Sequence, residues 1–202
     1  TQVCEPQPIY LNPSLLLQCQ AEGLRAESFN LRDERVGAIF VVNPVGSGIF
    51  GPAGFANIDI PTFIMAATAD TVAPALPEQI KPFTWLNTED RYLALVSNTT
   101  HFSVIDWNAE VEPTIPVPTP LLGDSPALAQ DYLQTLSLAF FQQYLNQDPS
   151  YAPALTAQFI NDSVARSPLT PLSLLQELSP DLLDQVIEGE GVFSDSAAGK
   201  LP

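Results

Sequence analysis

Three stretches of this chain are apolar almost without interruption. Val36-Gly-Ala-Ile-Phe-Val-Val-Asn-Pro44 lies between the charged Arg32-Asp-Glu-Arg35 and a Pro/Gly turn. Pro61-Thr-Phe-Ile-Met-Ala-Ala-Thr-Ala-Asp70 ends in a carboxylate, and Arg91-Tyr-Leu-Ala-Leu-Val-Ser97 runs into Asn98-Thr-Thr-His101. A strand with one wet face alternates apolar and polar residues, so these runs predict strands buried on both faces. Between the second and third, Leu76 to Leu86 carries apolar residues at helical spacing and leads into the polar turn Asn87 to Asp90. Strand, helix, strand in that order predicts a parallel sheet covered by helices, with functional side chains at the carboxyl ends of the strands.

The flanks read differently. In the first thirty residues Leu15, Leu16, Leu17 and Leu24 supply an apolar helical face that Pro6, Pro8 and Pro13 interrupt, as in a lid or excursion. Glu112 to Pro120 is a Pro-rich extended connector. After it, Leu128, Tyr132, Leu136, Phe140 and Tyr144 recur at every fourth position, predicting a long amphipathic helix. Asp148-Pro149, Thr170-Pro171 and Ser179-Pro180 each place a capping residue before a proline and predict further helix starts. The expected organisation is a sheet-bearing part over 1–111, a connector over 112–123, a helical extension over 124–190 and a frayed tail over 191–202.

Composition narrows the partners. The 202 residues carry 7 Lys+Arg against 23 Asp+Glu, for a formal net charge of −16. Neutralising phosphates needs clustered Lys and Arg, so nucleic acid and anionic membrane surfaces are poor partners. No apolar run approaches the ~20 residues of a bilayer-spanning helix, so no transmembrane segment is expected. Gly46, Gly48, Gly51 and Gly54 lack the Lys and the spacing of a phosphate cradle. No cofactor or metal is implied.

The candidate chemistry lies at Asp70 and His101, each just beyond a predicted strand. A carboxylate that accepts an imidazole N–H fixes the tautomer and leaves the other ring nitrogen to take a proton from a hydroxyl. Two readings are open from spacing alone: an Asp–His pair of this kind, or a turn-capping Asp and an ordinary loop His.

Ile60-Pro-Thr-Phe-Ile-Met-Ala-Ala-Thr-Ala-Asp70-Thr-Val-Ala-Pro74, followed by Tyr92-Leu-Ala-Leu-Val-Ser-Asn-Thr-Thr-His101-Phe-Ser103, resembles the acid and histidine segments of the α/β-hydrolase superfamily. The resemblance is to the branch of dienelactone hydrolases and bacterial homologues of platelet-activating-factor acetylhydrolase, and covers Arg32 to Ser103. It implies that the Val36 to Asn43 strand is the family's sixth, that Asp70 is the catalytic acid after strand seven, and that His101 is the catalytic histidine after strand eight. The family order is Ser, acid, His, with the Ser in a G-x-S-x-G elbow, and no G-x-S-x-G occurs in these residues. The nucleophile is therefore expected upstream, and the chain, which starts Thr1-Gln2-Val3-Cys4, is expected to be a fragment or processed form of a longer hydrolase.

Ser47 precedes Asp70 and His101 in the right order, but Val45 and Ile49 occupy the places where an elbow needs small residues, and Gly51-Pro52 interrupts a helix. Pro44, Val45, Gly46, Ser47 and Phe50, with Phe55, are expected instead to shape the mouth of an acyl pocket. Ser103, following the histidine, reads as a turn hydroxyl. Cys4 and Cys19 are either bridged, which favours a periplasmic or secreted location, or two reduced thiols.

The expected fold is thus the C-terminal part of an α/β-hydrolase: about three parallel strands, flanking helices and a helical extension. The expected function is acyl-enzyme hydrolysis of a small ester or lipid ester, with the missing N-terminal hydrolase portion supplied in cis. The alternative is a non-catalytic scaffold or protein-interaction module.

Overall fold

The computed structural model describes Cys4 and residues 12–23, 32–104, 126–164, 170–179, 181 and 183. The Pro-rich connector (112–123), the tail (191–202), Pro6, Pro8, Leu24 and Pro180 lie outside them. Strands β1 (Ile39–Val42), β2 (Thr62–Ala67) and β3 (Arg91–Val96) form where the apolar runs predict them and pair in parallel, in that order. A fourth strand, β4 (Leu172–Leu175), adds antiparallel to β3. The fold is α/β: a mixed, mostly parallel sheet with flanking helices.

Burial follows position in the sheet. Strand β2 is buried at all six positions because strands flank it on both sides and helices cover both faces. Strand β1 is only half-buried at each of its four, which corrects the expectation of a strand buried on both faces. Among the described residues it pairs with β2 alone. Ile39 and Asn43 donate their N–H to Pro61 and Met65 on the β2 side, so by parallel-ladder alternation the backbone groups of Phe40 and Val42 point to the opposite edge.

One face of the sheet is aromatic. Phe40, Phe63 and Tyr92 share a register row across β1, β2 and β3. Their rings stack at 4.5 and 5.6 Å between centroids. The long helix α4 (Pro126–Tyr144) sets Phe140 edge-on against all three rings at 5.7–6.0 Å. The predicted four-residue row makes this contact, with Tyr132, Leu136 and Phe140 buried. At the end of the row Tyr144 donates its hydroxyl to Asp90 Oδ1 at 2.9 Å and meets Tyr92 Oη at 2.7 Å.

The opposite face buries Ile64, Ala66 and Leu93 against Phe83 and Leu86. Of the helices, α1 (Ser14–Gln18) lies at the N-terminal end and α2 (Ser47–Phe55) follows β1. Next, a π-turn, Leu76–Ile80, leads into α3 (Lys81–Trp85), together filling the predicted helical stretch. Helix α2 is two short helical pieces joined at Gly51, whose φ of 59° no L side chain adopts readily, with Pro52 next. The interruption read from Gly51-Pro52 is therefore present. After α4, Asp148 accepts the Ser150 N–H and caps a 3-10 helix, Pro149–Leu155, which leads to α5 (Ala157–Phe159).

Two further expectations are corrected. Thr170-Pro171 opens no helix: Leu172 and Leu174 are buried in β4, Ser173 is exposed, and the Pro171 carbonyl accepts the Ser97 N–H at 2.8 Å. Residues beyond the connector thus supply both the helix on one sheet face and an edge of the same sheet. The leucines of α1 also face the wrong way for a buried apolar side. Leu16 and Leu17 are exposed, whereas the polar Ser14 and Gln18 are buried.

Candidate active site

Asn43, Asp70 and His101 all lie just past the carboxyl ends of strands, β1, β2 and β3 respectively. The strand ladder continues into the turns that carry the last two. Thr68 donates its N–H to the Val96 carbonyl at 3.1 Å and Ala69 donates to Thr99 at 2.9 Å, so the acid turn and the histidine turn are stitched together by backbone. The histidine turn closes on itself through Ser103, whose buried Oγ accepts the Thr100 N–H at 2.8 Å. Ser103 thus serves as a turn hydroxyl, the role its place after the histidine suggests.

Asp70 and His101 are in direct contact: Oδ2 lies 2.7 Å from Nδ1. Both oxygens of the carboxylate are used. Oδ1 accepts the N–H groups of Val72 and Ala73, each at 2.8 Å, which fixes the plane of the carboxylate toward the ring. The Asp70 side chain is fully buried while 24% of the His101 side chain is exposed. Because Asp70 accepts from backbone donors on one oxygen, a proton on Nδ1 completes the pattern, and Nε2 is the nitrogen available for proton transfer. This geometry differs from that of a turn-capping Asp with an unrelated loop His: Asp70 caps its turn and holds the ring at once.

The Gly-rich loop after β1 joins the same end of the sheet. Gln79 Nε2 donates to the Pro44 carbonyl at 2.7 Å and to the Ala73 carbonyl at 3.3 Å, tying the loop to the acid turn. Gly46 is buried, while Val45 and Phe50 are exposed and Phe50 packs edge-on to Phe55. A groove of about 370 Å³ lies along α4, lined by Gln134, Leu138, Phe141 and Leu145 among others. Ser47 has none of the strain of a nucleophile elbow: the non-glycine residues with left-handed backbone among those described are Asn43, Asn98 and Gln147.

The N–H groups of Gly46 and Ser47 are occupied by Glu78, a residue that sequence reasoning passed over. Glu78 is buried, and its Oε2 accepts from Gly46 and Ser47 at 3.1 and 3.2 Å. Its Oε1 accepts from Asn12 and Gln18 at 2.7 and 2.9 Å. Gln18 Oε1 in turn accepts the Gly48 N–H at 2.7 Å, and the Ser14 N–H reaches the Val72 carbonyl beside Asp70 at 3.0 Å. Here lies the reason α1 buries its polar face: it docks on a carboxylate. Cys19, just after α1, is bridged to Cys4, so a disulfide tethers the segment that borders the site.

Burial alone would push the Glu78 carboxyl up, but the N–H groups of Asn12, Gly46, Ser47 and Gln18 outweigh it and hold the carboxyl below its ordinary value. With its native value depressed, Glu78 stabilises the fold fully above the ordinary carboxylate range, and the contribution fades as pH falls through the lower native value. Glu78→Gln is therefore expected to cost ~1.5–3 kcal/mol at neutral pH. In chemical denaturation across pH, the gap between the two proteins should close below about pH 4; a gap independent of pH would contradict the charged-carboxylate account.

The surface carboxylates Asp33, Glu34 and Asp59 pair with Arg32 and Arg35 in exposed ion pairs. Among the described residues no helix is long and apolar enough to cross a membrane. No protein-family model matches this sequence, and no curated protein matches it.

Proposed function

We propose that this chain is the acid-and-histidine part of an α/β-hydrolase-type serine ester hydrolase whose nucleophile lies upstream. The observation that carries the proposal is the 2.7 Å contact between a fully buried, doubly anchored carboxylate and a partly exposed imidazole, across the carboxyl ends of two adjacent parallel strands. In the reaction an upstream Ser Oγ attacks the ester carbonyl and passes its proton to His101 Nε2. His101 returns that proton to the departing alcohol, leaving an acyl-enzyme, and then activates the water that releases the acid and restores the Ser. Asp70 holds the ring and stabilises the imidazolium.

Among the described residues β1 pairs on one side alone, which supports an upstream portion in cis, since a further parallel strand fits a half-buried apolar strand with outward backbone groups. Small esters or lipid esters are the proposed substrates. The Cys4–Cys19 bridge favours an oxidising, extracytoplasmic location.

A fluorophosphonate probe tests the proposal. The 202-residue chain should not label, whereas the chain with its upstream sequence should label on a Ser in a G-x-S-x-G elbow. Labelling of Ser47 in the short form would overturn the placement of the nucleophile. An extended form that folds and never labels would favour the scaffold reading.

A further inference from the structure

We infer that Asn43 is the positioning residue that sets His101 against the β1 side of the sheet. The inference rests on reading Asp70 and His101 as a proton relay. Asp70 fixes the ring through Nδ1, but it fixes nothing about where the His101 backbone sits relative to β1, the strand bordering the edge at which a nucleophile-bearing strand would pair. Asn43 does. Its Nδ2 donates to the His101 carbonyl at 3.1 Å while its Oδ1 accepts the Ala67 N–H at 2.8 Å. One side-chain amide thereby joins the ends of β1 and β2 to the histidine turn.

Three features single this residue out. It is buried, its bond from the Ala67 N–H wholly and its bond to the partly exposed His101 partly shielded from competing water. Its backbone is left-handed, φ 46°, a conformation that Asn tolerates better than other non-glycine residues and that ends the strand sharply before Pro44. Its amide orientation is dictated by its partners, because turning it over would aim the NH2 at the Ala67 donor and the oxygen at the His101 carbonyl. A residue needed only to end the strand requires no donor toward His101; a positioning residue does.

The two demands separate by substitution. Asn43→Asp keeps an acceptor for the Ala67 N–H and tolerates the left-handed backbone, but faces an oxygen to the His101 carbonyl. Asn43→Gly keeps the backbone and removes both bonds. His101 is the single histidine of the chain, so its Nδ1–H gives an unambiguous proton resonance in the intact 202-residue protein. The expected result is that solvent exchange of this proton is about tenfold faster in Asn43→Asp, the equivalent of about one hydrogen bond lost from the turn, while backbone amides in the centre of β2 remain protected. Asn43→Gly should behave alike at the histidine.

Exchange unchanged from the parent in a folded Asn43→Asp protein would overturn the assignment. Should Asn43→Asp not fold, Asn43→Gly decides on the same resonance; if neither folds, Asn43 is a fold determinant and the positioning role is rejected. Asp70→Asn distinguishes this failure from that of the underlying reading. If Asp70→Asn removes the resonance and Asn43→Asp leaves it intact, only the Asn43 inference fails. If Asp70→Asn leaves it intact, the relay itself fails.

Discussion

Replacing His101 by alanine in the nucleophile-bearing form is expected to lower kcat/KM for ester hydrolysis by at least ~10⁴-fold, with the protein still folded. The size follows from the role. Without an imidazole the Ser keeps its proton at neutral pH, and the departing alcohol receives none. The fold survives because His101 is partly exposed and makes its ring contact with a carboxylate that keeps its two backbone donors. Water entering the vacated space can satisfy Oδ2, so the expected stability loss stays within ~1–3 kcal/mol. Steady-state kinetics beside a denaturation curve checks both halves. Turnover unchanged in the folded variant would favour a scaffold over an enzyme.

The largest stability effect is expected at Phe63. Phe63 is fully buried in β2, stacked between Phe40 and Tyr92 and met edge-on by Phe140. Phe63→Ala removes the middle of this row and is expected to cost ~3–5 kcal/mol through lost burial and a residual cavity. Since domains of this size are stable by only ~5–15 kcal/mol, the change should move the urea midpoint strongly or leave much of the protein unfolded. Val45→Ala, at an exposed position, should stay within ~0.5 kcal/mol. A Phe63→Ala midpoint as close to the parent as that of Val45→Ala would contradict the placement of the core.

What was legible in the sequence depends on how far each signal reaches along the chain. The three parallel strands announce themselves locally, because two-face burial turns β2 and β3 into short apolar runs, and the four-residue row of α4 does the same for a helix. β4 gives no such signal: four residues, Leu-Ser-Leu-Leu, follow a Thr-Pro pair that equally suits a helix start, and only the free side of β3 recruits them as a strand. Leu15, Leu16 and Leu17 look like the buried side of a helix. The burial of Ser14 and Gln18 instead depends on Glu78, some sixty residues away.

The same limit governs the site. Asp70 and His101 are visible because each directly follows an apolar run, and the parallel register brings those two strand ends together. Glu78 and Asn43 are invisible because each acts through partners in other turns, and an isolated Glu or Asn in sequence carries no mark of them. The exposure of Val45 and Phe50 was likewise hidden, since an apolar Gly-rich loop reads the same whether its side chains are buried or exposed.

The most direct test of the account is nuclear magnetic resonance of the single imidazole in the intact chain. Asp70 holding His101 predicts a slowly exchanging Nδ1–H at low field and, in the neutral ring, an Nε2 without a proton, both lost in Asp70→Asn. A freely exchanging ring with the ordinary tautomer mixture, the same in the parent and in Asp70→Asn, would contradict it.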